Sequence, residues 1–274
     1  MRTKQGQTIH LKNYKKPDYN VLTVDLDVNL HPTQTRVKSK LLLQRNKGVE
    51  AGTAVQLDGD ELKLVSVAID GKVLAGNDYK ETPTTLTIQK VPKKQKFEIE
   101  IETEINPSAN TKLMGLYRSS GNYCTQCEAE GFRRITFFPD RPDILAVYTT
   151  RIEADKSETP ILLGNGNPVK KGAAGKGRHY AVWHDPHPKP SYLFALVGGD
   201  LGSIHKNFKT VSGRKVKLGI YVEQGKEDSA HYAMDSLIRS MKWDEEVFGC
   251  EYDLDVFNIV AVSDFNMGAM ENKG

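Results

Sequence analysis

Between Leu22 and Leu30 every second residue is apolar: Leu22, Val24, Leu26, Val28 and Leu30, with Thr23, Asp25, Asp27 and Asn29 between them. Successive side chains of a strand point to opposite faces, so this spacing buries one face of a sheet and wets the other. His31-Pro32-Thr33 breaks the pattern, and a second alternating run follows around Val37, Ser39, Leu41 and Leu43. Val65, Val67 and Ile69 lead into Asp70-Gly71, a hairpin signal, and the return begins at Val73. Phe97, Ile99 and Ile101 alternate with Glu98, Glu100 and Glu102. Further strands are predicted at 84–88, 132–138, 146–154, 180–184 and 192–198. Many short strands with Gly, Pro and Asn turns predict a mostly β fold, an antiparallel sandwich or saddle.

Near Gly198-Gly199-Asp200 the texture changes. Val216, Leu218, Ile220 and Val222 make one more alternating strand. Residues 228–248 then carry a helical stripe of Ala230, Ala233, Met234, Leu237, Ile238, Met241 and Phe248. Asp228 or Ser229 can cap its start, and Gly249 suits its end. A boundary is therefore expected near residue 200. Residues 1–200 form a β domain, and 201–274 open a mixed α/β domain that is expected to be incomplete and loosely held. No internal repeat or low-complexity tract occurs.

A chain of 274 residues is long enough for a sizeable core and suits two domains. With 38% hydrophobic and 27% charged residues it has an ordinary globular composition. A net charge of +3, with both signs interspersed, lacks the clustered basic face of a nucleic-acid binder. Lys12, Lys15 and Lys16 read as a solvated arm rather than a membrane patch. The polar stretch from Met1 to Asn20 has no apolar region of a signal peptide. The apolar runs at 193–197 and 256–262 fall short of the ~18 residues of a membrane span. Three cysteines are too few for a disulfide scaffold, so a cytoplasmic location is expected.

Cys124-Thr125-Gln126-Cys127 is a CxxC, but a structural zinc site wants a second such pair or paired histidines, and Cys250 stands alone. His184 and His187 flank Asp185-Pro186, which breaks any helix that would bring them together, so they read as turn residues. No His-Glu-x-x-His occurs in the chain. The Gly-rich stretch 164–177 fails the phosphate-loop spacing and reads as a mobile hairpin connection. Glu128, Glu130 and Glu271 would, from composition alone, be solvated side chains.

Several blocks shift that reading. Asn266-Met267-Gly268-Ala269-Met270-Glu271-Asn272-Lys273-Gly274 follows the apolar strand ending near Val262. Thr125–Arg133, with Gln126-Cys127-Glu128-Ala129-Glu130-Gly131, Arg141-Pro142-Asp143, the run from Leu193 to Asp200, and Met241-Lys242-Trp243-Asp244-Glu245-Glu246 accompany it. In this order they resemble the bacterial-type aminopeptidase N family of zinc peptidases, over essentially the whole chain. The resemblance implies a saddle-shaped β domain followed by the start of a thermolysin-like catalytic domain. It implies that Glu128 and Glu271 grip the free α-amine of a peptide substrate. That amine, with a pKa of ~8, is substantially protonated at neutral pH, and carboxylates make charge-assisted bonds to it. Gly268 and Ala269 would let a substrate backbone add along a strand edge, beside Met270. Gln126 and Asn272 would place polar groups nearby, and Met267 would give the first side-chain pocket a soft wall.

The family's zinc ligands lie in His-Glu-x-x-His and a later Glu, downstream of Gly-Ala-Met-Glu-Asn. Zinc is thus implied for the complete enzyme, where it polarises the scissile carbonyl and activates water. The chain as given is expected to hold no metal ligand and to be inactive alone, as an N-terminal fragment. The implied partners are peptides with a free N-terminus, without nucleic acid or membrane insertion, in a protein expected to be monomeric. The competing expectation is a non-catalytic β-sandwich module that binds peptide or serves structure.

Overall fold

The computed structural model describes residues 10–274. The first nine residues, part of the stretch read above as lacking a leader, lie outside the described residues. The first half contains β1 (Tyr19–Asn29), β2 (Thr35–Arg45), β3 (Val55–Asp58), β4 (Lys63–Ile69), β5 (Lys72–Val73), β6 (Tyr79–Thr82), β7 (Thr85–Ile88) and β8 (Lys96–Ile105). Then come β9 (Gly115–Ser119), β10 (Asn122–Gln126), β11 (Ala146–Asp155), β12 (Ile161–Gly164), β13 (Asn167–Gly175), β14 (Arg178–Lys189) and β15 (Leu196–Gly199). The last part holds β16 (Leu201–Lys209), β17 (Lys215–Glu223), α1 (His231–Phe248) and β18 (Val256–Val260).

An eight-stranded sheet in the order β13-β14-β11-β1-β2-β8-β4-β5 organises the first two-thirds. Its pairs are antiparallel except β1 with β11, which run parallel from Thr23 opposite Val147 to Asn29 opposite Glu153. Alternation decides its faces. Val24, Leu26 and Val28 are buried, while Asp25 and Asn29 are exposed. Two small sheets share the core beneath it. Leu57, Leu86 and Ile88 come from β3-β7-β6, and Leu116, Tyr123, Leu162 and Leu196 from β12-β15-β10-β9. The outer face is a charge ladder, with Lys40 2.9 Å from Glu98 and Arg36 2.8 Å from Glu104. Such solvated pairs contribute about 0–1 kcal/mol each.

The last part has its own apolar cluster. Met234, Leu237 and Met241 form one stripe of α1 and pack with Val216, Leu218 and Ile220 of β17. Each buried side chain of this size contributes about 1.5–3 kcal/mol. β17 is central in β16-β17-β18, antiparallel to β16 and parallel to β18. Gly249 ends α1 in the left-handed conformation (φ 64°), the C-cap expected of it. No described helix is long and apolar enough to cross a membrane.

Several local expectations are corrected. Leu22 and Val65 do not keep their places on the buried face. Each sits where the ladder register shifts, at Val21/Thr23 and at Leu64/Ser66, so each is the extra residue of a bulge. Residues 132–138 form no strand. Phe132–Arg134 is a 3₁₀ turn, and only Phe138 bridges to Asp58. Ser39 Oγ lies 2.8 Å from Thr136 Oγ1, and Thr103 Oγ1 donates to Ile135 O at 2.9 Å. These buried hydroxyls tie the irregular segment to the large sheet. In 192–198 a 3₁₀ turn at Ser191–Leu193 precedes β15. Residue 230 stands at the N-cap of α1 after a 3₁₀ turn, and neither Asp228 nor Ser229 caps it. His184 and His187 lie within β14 rather than in a turn, and most of 164–177 is strand β13.

Candidate peptide-binding site

The β9–β10 hairpin carries one side of the candidate site. Its turn, Ser120-Gly121, has φ of 48° and 86°, the paired positive angles of a tight hairpin. The register runs from Asn122 opposite Ser119 to Gln126 opposite Gly115, and every β10 residue is buried. Beyond β10 the chain turns sharply. Gly131 N donates to Cys127 O at 2.7 Å, and the Glu128–Ala129 peptide is cis. Glu128 is half-buried and Glu130 exposed. Gln126 Nε2 donates to Glu128 O at 3.3 Å, whereas its buried Oε1 has no partner.

Two arginines fix this turn from below. Arg133 donates from N and Nε to Asp140 Oδ2 at 3.1 and 3.0 Å, and Ser191 Oγ donates to Asp140 Oδ1 at 2.5 Å. Arg134, almost fully buried, pairs with Asp60 and Glu61 and donates from Nε to Met114 O at 3.1 Å. Lys112 and Arg134 hold the Glu61 carboxyl below its usual range, with the Lys112 hydrogen bond the larger influence. Burial pushes Asp58 above its usual range, against the pull of Arg133.

The other side is the segment after β18. Its entry is gripped at Asp264, whose N–H donates to Ser119 Oγ at 2.9 Å and whose carbonyl accepts from Tyr117 OH at 2.8 Å. Asn266 Nδ2 donates to Lys112 O and Leu113 O at 3.0 and 3.2 Å. Its exit is held by Asn165 Nδ2 donating to Lys273 O at 2.7 Å, and by Lys273 Nζ on both oxygens of Asp253. Between these anchors, Met267 to Asn272 make no backbone hydrogen bond among the described residues. This segment borders a cavity of about 590 Å³. The cavity's other walls include Cys124, Thr125 and Leu196 of the four-stranded sheet and Phe257 and Ile259 of β18.

The sequence-predicted residues are thus only partly brought together. Met267, Gly268, Ala269, Met270, Glu271 and Asn272 all line the cavity. Gln126 and Glu128 do not; they lie just beyond Cys124 and Thr125, which do. Sequence reasoning missed Tyr117, Ser119 and Asn165, which hold the segment. Their hydrogen bonds go to distant backbone, so no local pattern announces them.

The CxxC offers no reactive thiolate. Burial pushes Cys124 up to about 11 and Cys127 well above the usual thiol range. Among the described residues no group of three or more His, Cys, Asp or Glu side chains could hold a metal. The residues present therefore do not fit a zinc site, and no chemical step is assigned to a metal on this chain.

With this geometry in view, comparisons with known proteins identify the chain's relatives. The Peptidase M1 N-terminal domain model matches residues 12–193, and the Peptidase family M1 domain model matches residues 232–274. Aminopeptidase N of Caulobacter vibrioides is 54% identical over 100% of this chain and 31% of its own length. Aminopeptidase N of Escherichia coli is 49% identical over 99% of the chain and 31% of its own length. A crystal structure of Legionella pneumophila aminopeptidase A in complex with aspartic acid superposes with a TM-score of 0.90 at 36% identity, over 95% of this chain and 31% of that one. The chain spans about a third of the length of the curated relatives it matches. Matches of this extent and identity place the chain in the M1 peptidase family.

Proposed function

We propose that this chain forms the amine-binding part of a metalloaminopeptidase, which removes N-terminal residues from peptides. One observation supports the reading most directly. Met267–Asn272 run between two anchors, beside a cavity, with their backbone groups unpaired. Unpaired N–H and C=O groups along a segment tied down at both ends suit the addition of a peptide strand. Such a segment contributes affinity through the main chain and leaves side-chain preference to the cavity wall.

In this reading Glu271, in the cavity wall, and Glu128, at the mouth of the β10 turn, hold the substrate ammonium. Gln126 positions the Glu128 turn through its bond to Glu128 O. Asn272 adds a polar group, while Met267 and Met270 bound the first side chain. M1 aminopeptidases are in general zinc-dependent, and the zinc would be held by residues other than these. The apolar cluster under the large sheet and the separate one around α1 favour a division near residue 200. The three cysteines are free thiols, which suits a reducing, cytoplasmic compartment.

The test uses the full-length polypeptide that contains this chain. Glu271 is exposed and Glu128 half-buried in the free chain, so the bound peptide is what desolvates them. Glu271→Gln and Glu128→Gln should each lower kcat/KM on an aminoacyl anilide by roughly tens- to thousands-fold, as expected for truncating one partner of such a charge pair. Bound zinc should stay at the wild-type level. Near-wild-type kcat/KM for both variants would end the amine-anchor reading.

A further inference from the structure

The segment that leads to Glu271 is gripped by the same hairpin that carries Glu128. Asp264 alone accepts or donates three bonds to β9. Ser119 Oγ donates to Asp264 Oδ2 at 2.8 Å and accepts from Asp264 N at 2.9 Å, and Tyr117 OH donates to Asp264 O at 2.8 Å. Both holding side chains are buried, with Tyr117 fully enclosed. Two residues further on, Asn266 is bonded to Lys112 O and Leu113 O, before the start of β9.

Direction follows from these contacts. Ser119 sits at the turn end of the hairpin, and Gly115 pairs with Gln126 at its open end. From Asp264 to Asn266 the chain therefore travels against β9, from the turn toward the open end. Glu128 emerges at that same open end, two residues beyond β10. The ladder between Ser119 and Gly115 has fixed rungs, so it sets how far the path to Glu271 starts from Glu128.

We propose that the β9–β10 hairpin is a positioning device: by gripping Asp264 and Asn266 through Ser119, Tyr117 and the 112–113 carbonyls, it fixes the spacing of Glu128 and Glu271 for one substrate ammonium. The proposal rests on the amine-anchor reading above. It adds Ser119, Tyr117 and Asn266 as positioning residues that touch no substrate. A clamp of this kind acts through geometry, and small misplacements of binding groups are costly to rate.

The experiment measures kcat and KM separately in the full-length protein. Ser119→Ala and Asn266→Ala are made alone and in the Glu271→Gln background, with Ser119→Thr as the conservative variant. Asn266 is exposed, so Asn266→Ala tests the clamp even where Ser119→Ala does not fold. Each alanine variant should lower kcat/KM roughly 3- to 30-fold, chiefly through KM. In the Glu271→Gln background the same changes should cost less than about twofold, because the carboxylate they position is gone. Ser119→Thr, which keeps the hydroxyl, should recover most of the loss. Losses that persist undiminished in the Glu271→Gln background would show that the hairpin supports the fold alone, and alanine variants indistinguishable from wild type would overturn the positioning role outright. If Glu271→Gln itself leaves kcat/KM unchanged, the amine-anchor reading falls and this proposal with it.

Discussion

Lys189 Nζ lies 3.1 Å from Asp185 Oδ2 and 3.8 Å from the centre of the Tyr148 ring, with both charged side chains almost wholly buried. At that distance the two groups form a buried ion pair. Asp185 Oδ1 separately accepts from His187 N at 3.1 Å. Both charged residues belong to β14, and Asp185 stands opposite Tyr148 of the neighbouring β11. Burial holds the Lys189 amine down to about 8, with Asp185 pulling upward and Lys273 lowering it further.

That depressed value fixes the sign of a pH effect. The amine titrates near 10.5 ordinarily and near 8 in the fold. Between those values the unfolded chain holds more protons, so this group's contribution to stability rises with pH. The slope approaches about 1.4 kcal/mol per pH unit. Below pH 8 both states are protonated, and the cost of burying the charge is felt in full. The buried thiols of Cys124 and Cys127 act in the opposite direction, so the useful quantity is the difference between wild type and Lys189→Met. Denaturant unfolding from about pH 7 to 10 should show wild type gaining on Lys189→Met as pH rises. A difference that stays flat would contradict it. At neutral pH, Lys189→Ala should cost about 3–5 kcal/mol, because it strands a buried carboxylate.

Phe132 anchors the turn that bears Glu128. It is fully buried and meets Phe138, Phe194 and Tyr148 edge-on, at ring separations of 5.0, 5.1 and 6.0 Å. Phe132→Ala removes a ring from a close-packed aromatic cluster and should destabilise by about 3–5 kcal/mol. Urea unfolding checks this; a loss under about 1 kcal/mol would mean the cluster collapses to fill the space.

Thiol labelling separates the three cysteines. Cys250 is exposed, whereas Cys124 and Cys127 are buried with raised thiol pKa values. Thiolates, not thiols, react. Alkylation of the native protein at neutral pH should modify Cys250 alone, and all three should react after denaturation. Intact-mass measurement counts the labels, and prompt native labelling of Cys124 would contradict the buried CxxC.

The strands were legible because alternation is local. Val24, Leu26 and Val28 announced their face, and Asp70-Gly71 announced its hairpin. What escaped was set by partners far away. Leu22 and Val65 fit the alternation, yet bulges removed them from it. The aromatic- and β-branched-rich stretch 132–138 suits a strand, but its hydrogen bonds go to a 3₁₀ turn, to Asp58 and to buried hydroxyls. In the site, Met267–Asn272 were visible as a motif. Tyr117, Ser119 and Asn165 were not, since a hydroxyl or amide meeting distant backbone leaves no periodic trace.

The parallel seam between β1 and β11 bears on how the molecule is made. Thr23 waits for Val147, and everything from β2 to β10 is synthesised before that partner exists. Long-range parallel pairing closes slowly, because the intervening loop must be ordered first. A chain emerging from the ribosome can zip β1 to β2 and β2 to β8 at once, but the far edge of β1 keeps its N–H and C=O groups open until residue 146 and beyond appear. The middle of the finished sheet is thus an exposed edge during translation, and that interval is when this protein is most open to joining the wrong neighbour.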